Sequence, residues 1–138
     1  MRKLVTVLIF LGAVLAADNS LCTLELSNGY KIKKLPVADT SESQAKGLSK
    51  VDDIGSGMIF VWGSPRVVSF WMKDTRVPLS IGFFDKDKKL FQVDDMEPFS
   101  LSSHLSSKEV IAALELNEGD FKKHNITIGT KIVKLECE

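Results

Sequence analysis

The densest mixture of chemistry in this sequence lies between Ser69 and Pro78, where Phe70-Trp71-Met72 runs straight into Lys73, Asp74, Thr75 and Arg76. Aromatic surface is thereby set beside two cations, one anion and a hydroxyl. Small-molecule sites combine apolar walls with a few convergent polar groups, so this segment, with Met58, Trp62 and Glu115, forms a candidate pocket rim. The same residues have a plainer reading, in which Trp71 and Met72 are core and Lys73 and Asp74 form an ion-paired turn. Asp74 and Glu115 could also serve as general acid and base if the fold set them across a cleft, roughly 5–10 Å apart as glycosidase pairs require.

Other chemistries find less support. A zinc site needs clustered His, Cys or carboxylate ligands, and the chain offers His104 and His124 with no HExxH or paired-cysteine motif. Asp94, Asp95 and Glu97 could give oxygens to calcium, but they lack the ligand spacing and turn glycine of an EF-hand loop and suit a solvated strand end. Gly55-Ser56-Gly57 is neither a nucleophile elbow nor a phosphate loop, because the flanking residues of both motifs are missing. No cofactor or metal is expected. Asn125-Ile126-Thr127 is a glycosylation sequon, which matters only where N-glycans are added.

The N-terminal residues set the compartment. Arg2 and Lys3 precede an apolar run from Leu4 to Leu15, and small or permissive residues at 14–16 allow cleavage after Ala16. The run meets Asp18 and Asn19 before reaching the roughly 20 residues of a membrane span, which favours a cleaved signal peptide over an uncleaved anchor. Residues 1–16 are therefore expected to be a signal peptide and residues 17–138 one β-rich domain, periplasmic or secreted. The whole chain has 18 basic and 18 acidic residues, and loss of Arg2 and Lys3 leaves 16 against 18. That balance gives no electrostatic footprint for nucleic acid. Export also permits Cys22 and Cys137 to pair, closing a loop of about a hundred residues worth roughly 4–5 kcal/mol in the chain-entropy model. Two unrelated thiols are the alternative.

The elements that must position these residues are mostly short strands. Residues 22–27 and 30–35 alternate around Asn28-Gly29, a strong hairpin signal. Ser41 and Gln44 resemble a capping box for a short helix over 42–50, which Gly47 weakens and could end. Strands are expected at 58–62, 67–72, 79–85, 90–93, 110–116 and 127–135, with turns at 52–57 and 63–66. Residues 94–108 read as a long surface connection, and 117–125 has a helix-like start. The expected class is mainly β, a compact barrel-like or sandwich domain with short helices.

Lys46-Gly47-Leu48, Gly57-Met58-Ile59-Phe60, Phe70 to Thr75, Val77-Pro78-Leu79 and Leu114 to Gly119 together resemble the DUF192 family. This small bacterial and archaeal domain has no established activity. The resemblance spans about residues 35–133 and implies a β-rich, barrel-like domain, often exported. Three positions depart from the family pattern: Asp74 replaces a usual Asn, Ser80 a usual Asp, and Ser49 a common Met. With no complete catalytic motif, a non-enzymatic envelope domain that binds a small polar ligand or a partner protein is the leading expectation. An envelope hydrolase or lyase acting on a saccharide or peptide through Asp74 and Glu115 is the first alternative. An assembly factor that meets its partner through a sheet edge is the second.

Overall fold

The computed structural model describes residues 20–138, so the expected signal peptide lies outside the described residues. The described chain is mostly β. In order, its elements are β1 (Leu21–Leu26), β2 (Lys31–Ala38), α1 (Ser41–Lys46), β3 (Met58–Arg66), β4 (Ser69–Phe70), β5 (Leu79–Phe84), β6 (Leu90–Met96), β7 (His104–Leu105), β8 (Val110–Asn117), α2 (Asp120–Lys123) and β9 (Ile132–Cys137). Seven strands form one sheet in the order β9-β1-β2-β3-β8-β5-β6, and β4 and β7 make a separate two-stranded ribbon. Among the described strands only β2 and β3 pair in parallel; their connection carries α1.

The sheet curls into a half-barrel. At one end its edge strands meet: Lys89 bridges Lys131, and the Leu90 amide donates to the Thr130 carbonyl at 2.8 Å. The barrel-like expectation therefore holds, and a two-sheet sandwich does not. Inside the curl, Leu24, Leu26, Leu35, Ile59 and Leu114 pack with Leu90 from the opposite edge, while Phe121 of α2 and Ile126 complete the cluster. The other face of β3, β5 and β8 carries a second core of Phe60, Ile81, Phe83 and Ala113, covered by Leu48, Ile54 and Met72 from the connections. All six residues of β5 are buried because both of its faces are covered. Gly82 in that strand leaves room for the Phe121 ring, which an added Cβ would approach to 2.6 Å.

Local signals account for most elements. The hairpin forms with Gly29 at φ 90°, a conformation that suits glycine. Helix α1 is capped one residue earlier than expected: the Ser43 amide donates to Thr40 Oγ1, and the Thr40 amide donates to Ser43 Oγ. It ends at Lys46, four residues short of the expected end, with Gly47 as its C-cap. Strand β3 continues through the expected turn at 63–66, because a register shift between Val61 and Arg66 accommodates Pro65. The strand expected at 67–72 shrinks to Ser69–Phe70, whose partner is the equally short β7 within the expected connection at 94–108. Strand β6 runs three residues further than expected, and the last strand begins at Ile132 rather than 127.

Cys22 and Cys137 stand opposite each other on β1 and β9 and are joined by a disulfide across 115 positions of sequence. The expected pairing is present. One edge strand is thus stitched to the opposite edge at its start and bonded to its neighbour at its end.

Candidate functional site

Strand β8 alternates between the two cores, with Ala112, Leu114 and Leu116 in the first and Ala113 in the second. The same alternation turns Glu115 toward the second core. There it lies between Met58 of β3 and Ile81 of β5 and is only 4 % exposed, and its carboxyl makes no side-chain hydrogen bond among the described residues. Loss of water around the carboxyl raises its pKa from 4.5 to about 8, so at neutral pH most molecules carry it as the uncharged acid. Among the described residues no side-chain oxygen or nitrogen sealed from solvent lacks a partner, so the Glu115 carboxyl opens onto free space.

That space is a cleft of about 340 Å³ whose floor includes Glu115 and Leu79. One wall is the C-terminal end of α1 and the residues after it, from Gln44 to Ser49; the facing wall is the segment from Val68 to Thr75. Aromatic rings shape the interior: Phe70 meets Phe60 edge-on at 4.8 Å and Trp62 edge-on at 6.3 Å. At the mouth, Lys73 Nζ lies 5.4 Å from the centre of the Trp71 ring.

Backbone and amide hydrogen bonds hold both walls. Gln44 Nε2 donates to the carbonyls of Ala38 and Val61 at 3.1 and 2.9 Å, which pins α1 to β2 and β3. The Lys50 amide donates to the Asp74 carbonyl at 2.7 Å and ties the two walls together. From outside, the Met72 amide donates to Ser100 and the Phe99 amide to Thr75, so the 97–100 stretch braces the second wall. The turn after Met72 places Asp74 at φ 56°, and Thr75 is buried behind it.

Of the rim expected from sequence, the fold brings Trp62, Trp71, Lys73 and Glu115 into one cleft. Met58 opens instead onto a larger neighbouring cleft of about 540 Å³, which shares Lys46, Gly47 and Leu48 with the first. Asp74 and Arg76 line neither; Asp74 is exposed on the turn, and Arg76 forms an exposed ion pair with Asp52. The core reading of the aromatic segment holds for Met72, which is 1 % exposed, and fails for Trp71, which is 54 % exposed. No ion pair joins Lys73 to Asp74 among the described residues, since Lys73 turns to the indole.

The sequence did not point to Gln44, Lys46 or Phe60 as lining residues, whereas Phe70 belongs to the expected rim segment. Lys46 and Phe60 belong to the blocks that carry the family resemblance, and that grouping was the available signal. The other sequence features take structural places. Ser56 Oγ donates to the Lys33 carbonyl at 2.7 Å, and Ser80, buried on β5, donates to Asp95 at 2.7 Å. Asp94 faces His104 Nδ1 at 3.6 Å.

Two solved structures share this architecture. A protein of unknown function from Novosphingobium aromaticivorans superposes with a TM-score of 0.73 at 26 % identity, over 91 % of this chain and 99 % of its own. A protein from Sinorhizobium meliloti, proposed to be a transcription regulator, gives 0.74 at 25 % identity, over 91 % and 98 %. Among curated proteins no relative matches this chain. The model of the DUF192 family, described as an uncharacterized ACR, matches residues 23–134. Nearly all of the described chain falls inside that match, including both walls and the floor of the cleft, and the chain belongs to the DUF192 family.

Proposed function

We propose that this chain is an exported, non-enzymatic binding domain of the cell envelope that takes a small ligand in the cleft between α1 and the 68–75 segment. Glu115 carries the proposal. A carboxyl group that is 4 % exposed at the bottom of an apolar cleft is costly to desolvate, and a strand-centre position would hold an apolar residue at lower cost unless a ligand used the acid. Apolar and aromatic walls around one such group match the make-up of ligand pockets.

Export is supported by the charged and apolar N-terminal sequence and by the Cys22–Cys137 disulfide, a bond that persists in oxidising compartments. No helix among the described residues is long and apolar enough to cross a membrane. The acid–base reading is less well supported, because Asp74 does not line the cleft that Glu115 floors.

Heteronuclear NMR with a small-molecule library tests the binding reading. The expected hits move the indole N–H signals of Trp62 and Trp71 together with the amides of 114–116, and the Trp71→Ala variant weakens them. A library in which no compound moves those signals would overturn it. Fractionation of expressing cells tests export: mature protein lacking residues 1–16 is expected outside the cytoplasm.

A further inference from the structure

The cleft has an electrical direction. Its inner end holds Glu115; the other titratable side chains lining it are Lys46, from α1, and Lys73, from the turn after β4. Both lysines are exposed, so they lie at the mouth. The contributions of β3 and β5 to the lining are Phe60, Trp62 and Leu79, which bring no charge. Between the two ends stand aromatic rings, whose faces attract cations, as the position of Lys73 over Trp71 already illustrates.

A guest that satisfies this arrangement carries positive charge inward and negative charge outward. Resting on the binding reading above, we propose that the ligand is a small primary amine with an acidic group at its other end, its ammonium seated on Glu115 and its acid facing Lys46 and Lys73. An ammonium supplies up to three donors to a carboxyl that has none, and its apolar body lies against Phe60, Trp62 and Phe70. The volume, about 340 Å³, is near the lower end of ligand pockets and suits one small molecule. A plain amine would meet like charge at the mouth without compensation, and a plain acid would leave Glu115 unpaired.

Protons keep the account. At neutral pH the free protein holds the Glu115 proton, whereas the bound form pairs a carboxylate with an ammonium. Each binding event therefore releases close to one proton to solvent at pH 7. Affinity for an ammonium therefore rises with pH toward about 8, where Glu115 ionises unaided, and falls again where the amine loses its own proton.

The test uses four probes of one shape: 4-(aminomethyl)benzoate, benzylamine, 4-methylbenzoate and benzyl alcohol. Calorimetry in phosphate and in HEPES, whose ionisation enthalpies differ and neither of which is a primary amine, counts the protons. Expected are tightest binding by 4-(aminomethyl)benzoate, release of close to one proton at pH 7, and loss of both that release and at least tenfold in affinity in Glu115→Gln. This variant is isosteric with the protonated acid, and circular dichroism checks its fold. Binding of benzyl alcohol or 4-methylbenzoate as tight as the amines, or amine binding that Glu115→Gln leaves unchanged, overturns the ligand class and leaves the binding reading standing. So does silence from all four probes while other compounds move the Trp62 and Trp71 signals. Silence from every compound overturns both.

Discussion

Glu115 makes the stability of this protein depend on pH in a direction opposite to most carboxylates. Its pKa is about 8 in the fold against an ordinary 4.5, so below pH 4.5 both folded and unfolded chains keep the proton and the group contributes nothing to the balance. Between 4.5 and about 8 the unfolded chain gives the proton up while the folded one retains it, and stability falls by about 1.4 kcal/mol per pH unit. Above about 8 the loss is constant, on the order of 5 kcal/mol. Glu115→Gln removes this slope. Urea denaturation of the unliganded protein is expected to give the two proteins similar stabilities near pH 5 and an advantage of several kcal/mol to the variant near pH 9. Parallel curves would mean that the carboxyl ionises inside the fold at little cost.

At the scale of elements, the floor of the cleft depends on how closely the turn before β3 approaches β8. Gly57 has φ +100°, and a Cβ placed there would sit 2.2 Å from the Glu115 carbonyl oxygen. Neighbouring Gly55 also has positive φ, +56°, but its Cβ would meet open space. Gly55→Ala is therefore expected to cost about 1 kcal/mol from backbone strain alone, and Gly57→Ala about 2–4 kcal/mol from strain and displacement of β8. Equal costs in denaturant titrations would show that β8 moves freely. The elements that local chemistry dictates were legible in the sequence. Asn28-Gly29 specified the hairpin, and the runs at 58–62, 79–85 and 110–116 specified buried strands. Misreadings arose where distant partners decide. Gly63-Ser64-Pro65 has the composition of a turn, yet pairing of Arg66 with Val110 carries β3 through it. The 67–72 run has strand character, yet β7 offers only two residues to pair with. The rim was legible in part for the same reason. Phe70, Trp71, Lys73 and Glu115 announce themselves by type, whereas Gln44 and Lys46 enter the cleft through contacts such as that of Lys50 with Asp74, which no local pattern encodes.

Over the whole molecule, the cleft and the covalent bond occupy different parts of the sheet. The cleft sits against β3, β8 and β5, and the disulfide joins β1 to the edge strand β9. Because Cys22 and Cys137 face each other directly, the bond is also a mechanical shunt. A force applied at residues 20 and 138 runs through one sulfur–sulfur link and bypasses every strand between them. Pulled in an optical trap, the oxidised protein is expected to show no unfolding step at forces that rupture ordinary β-domains. The reduced protein should yield a step of roughly 400 Å, the fully extended length of the 115 positions that the bond encloses. The tension that would open this domain is spent on the bond, and the cleft never feels it.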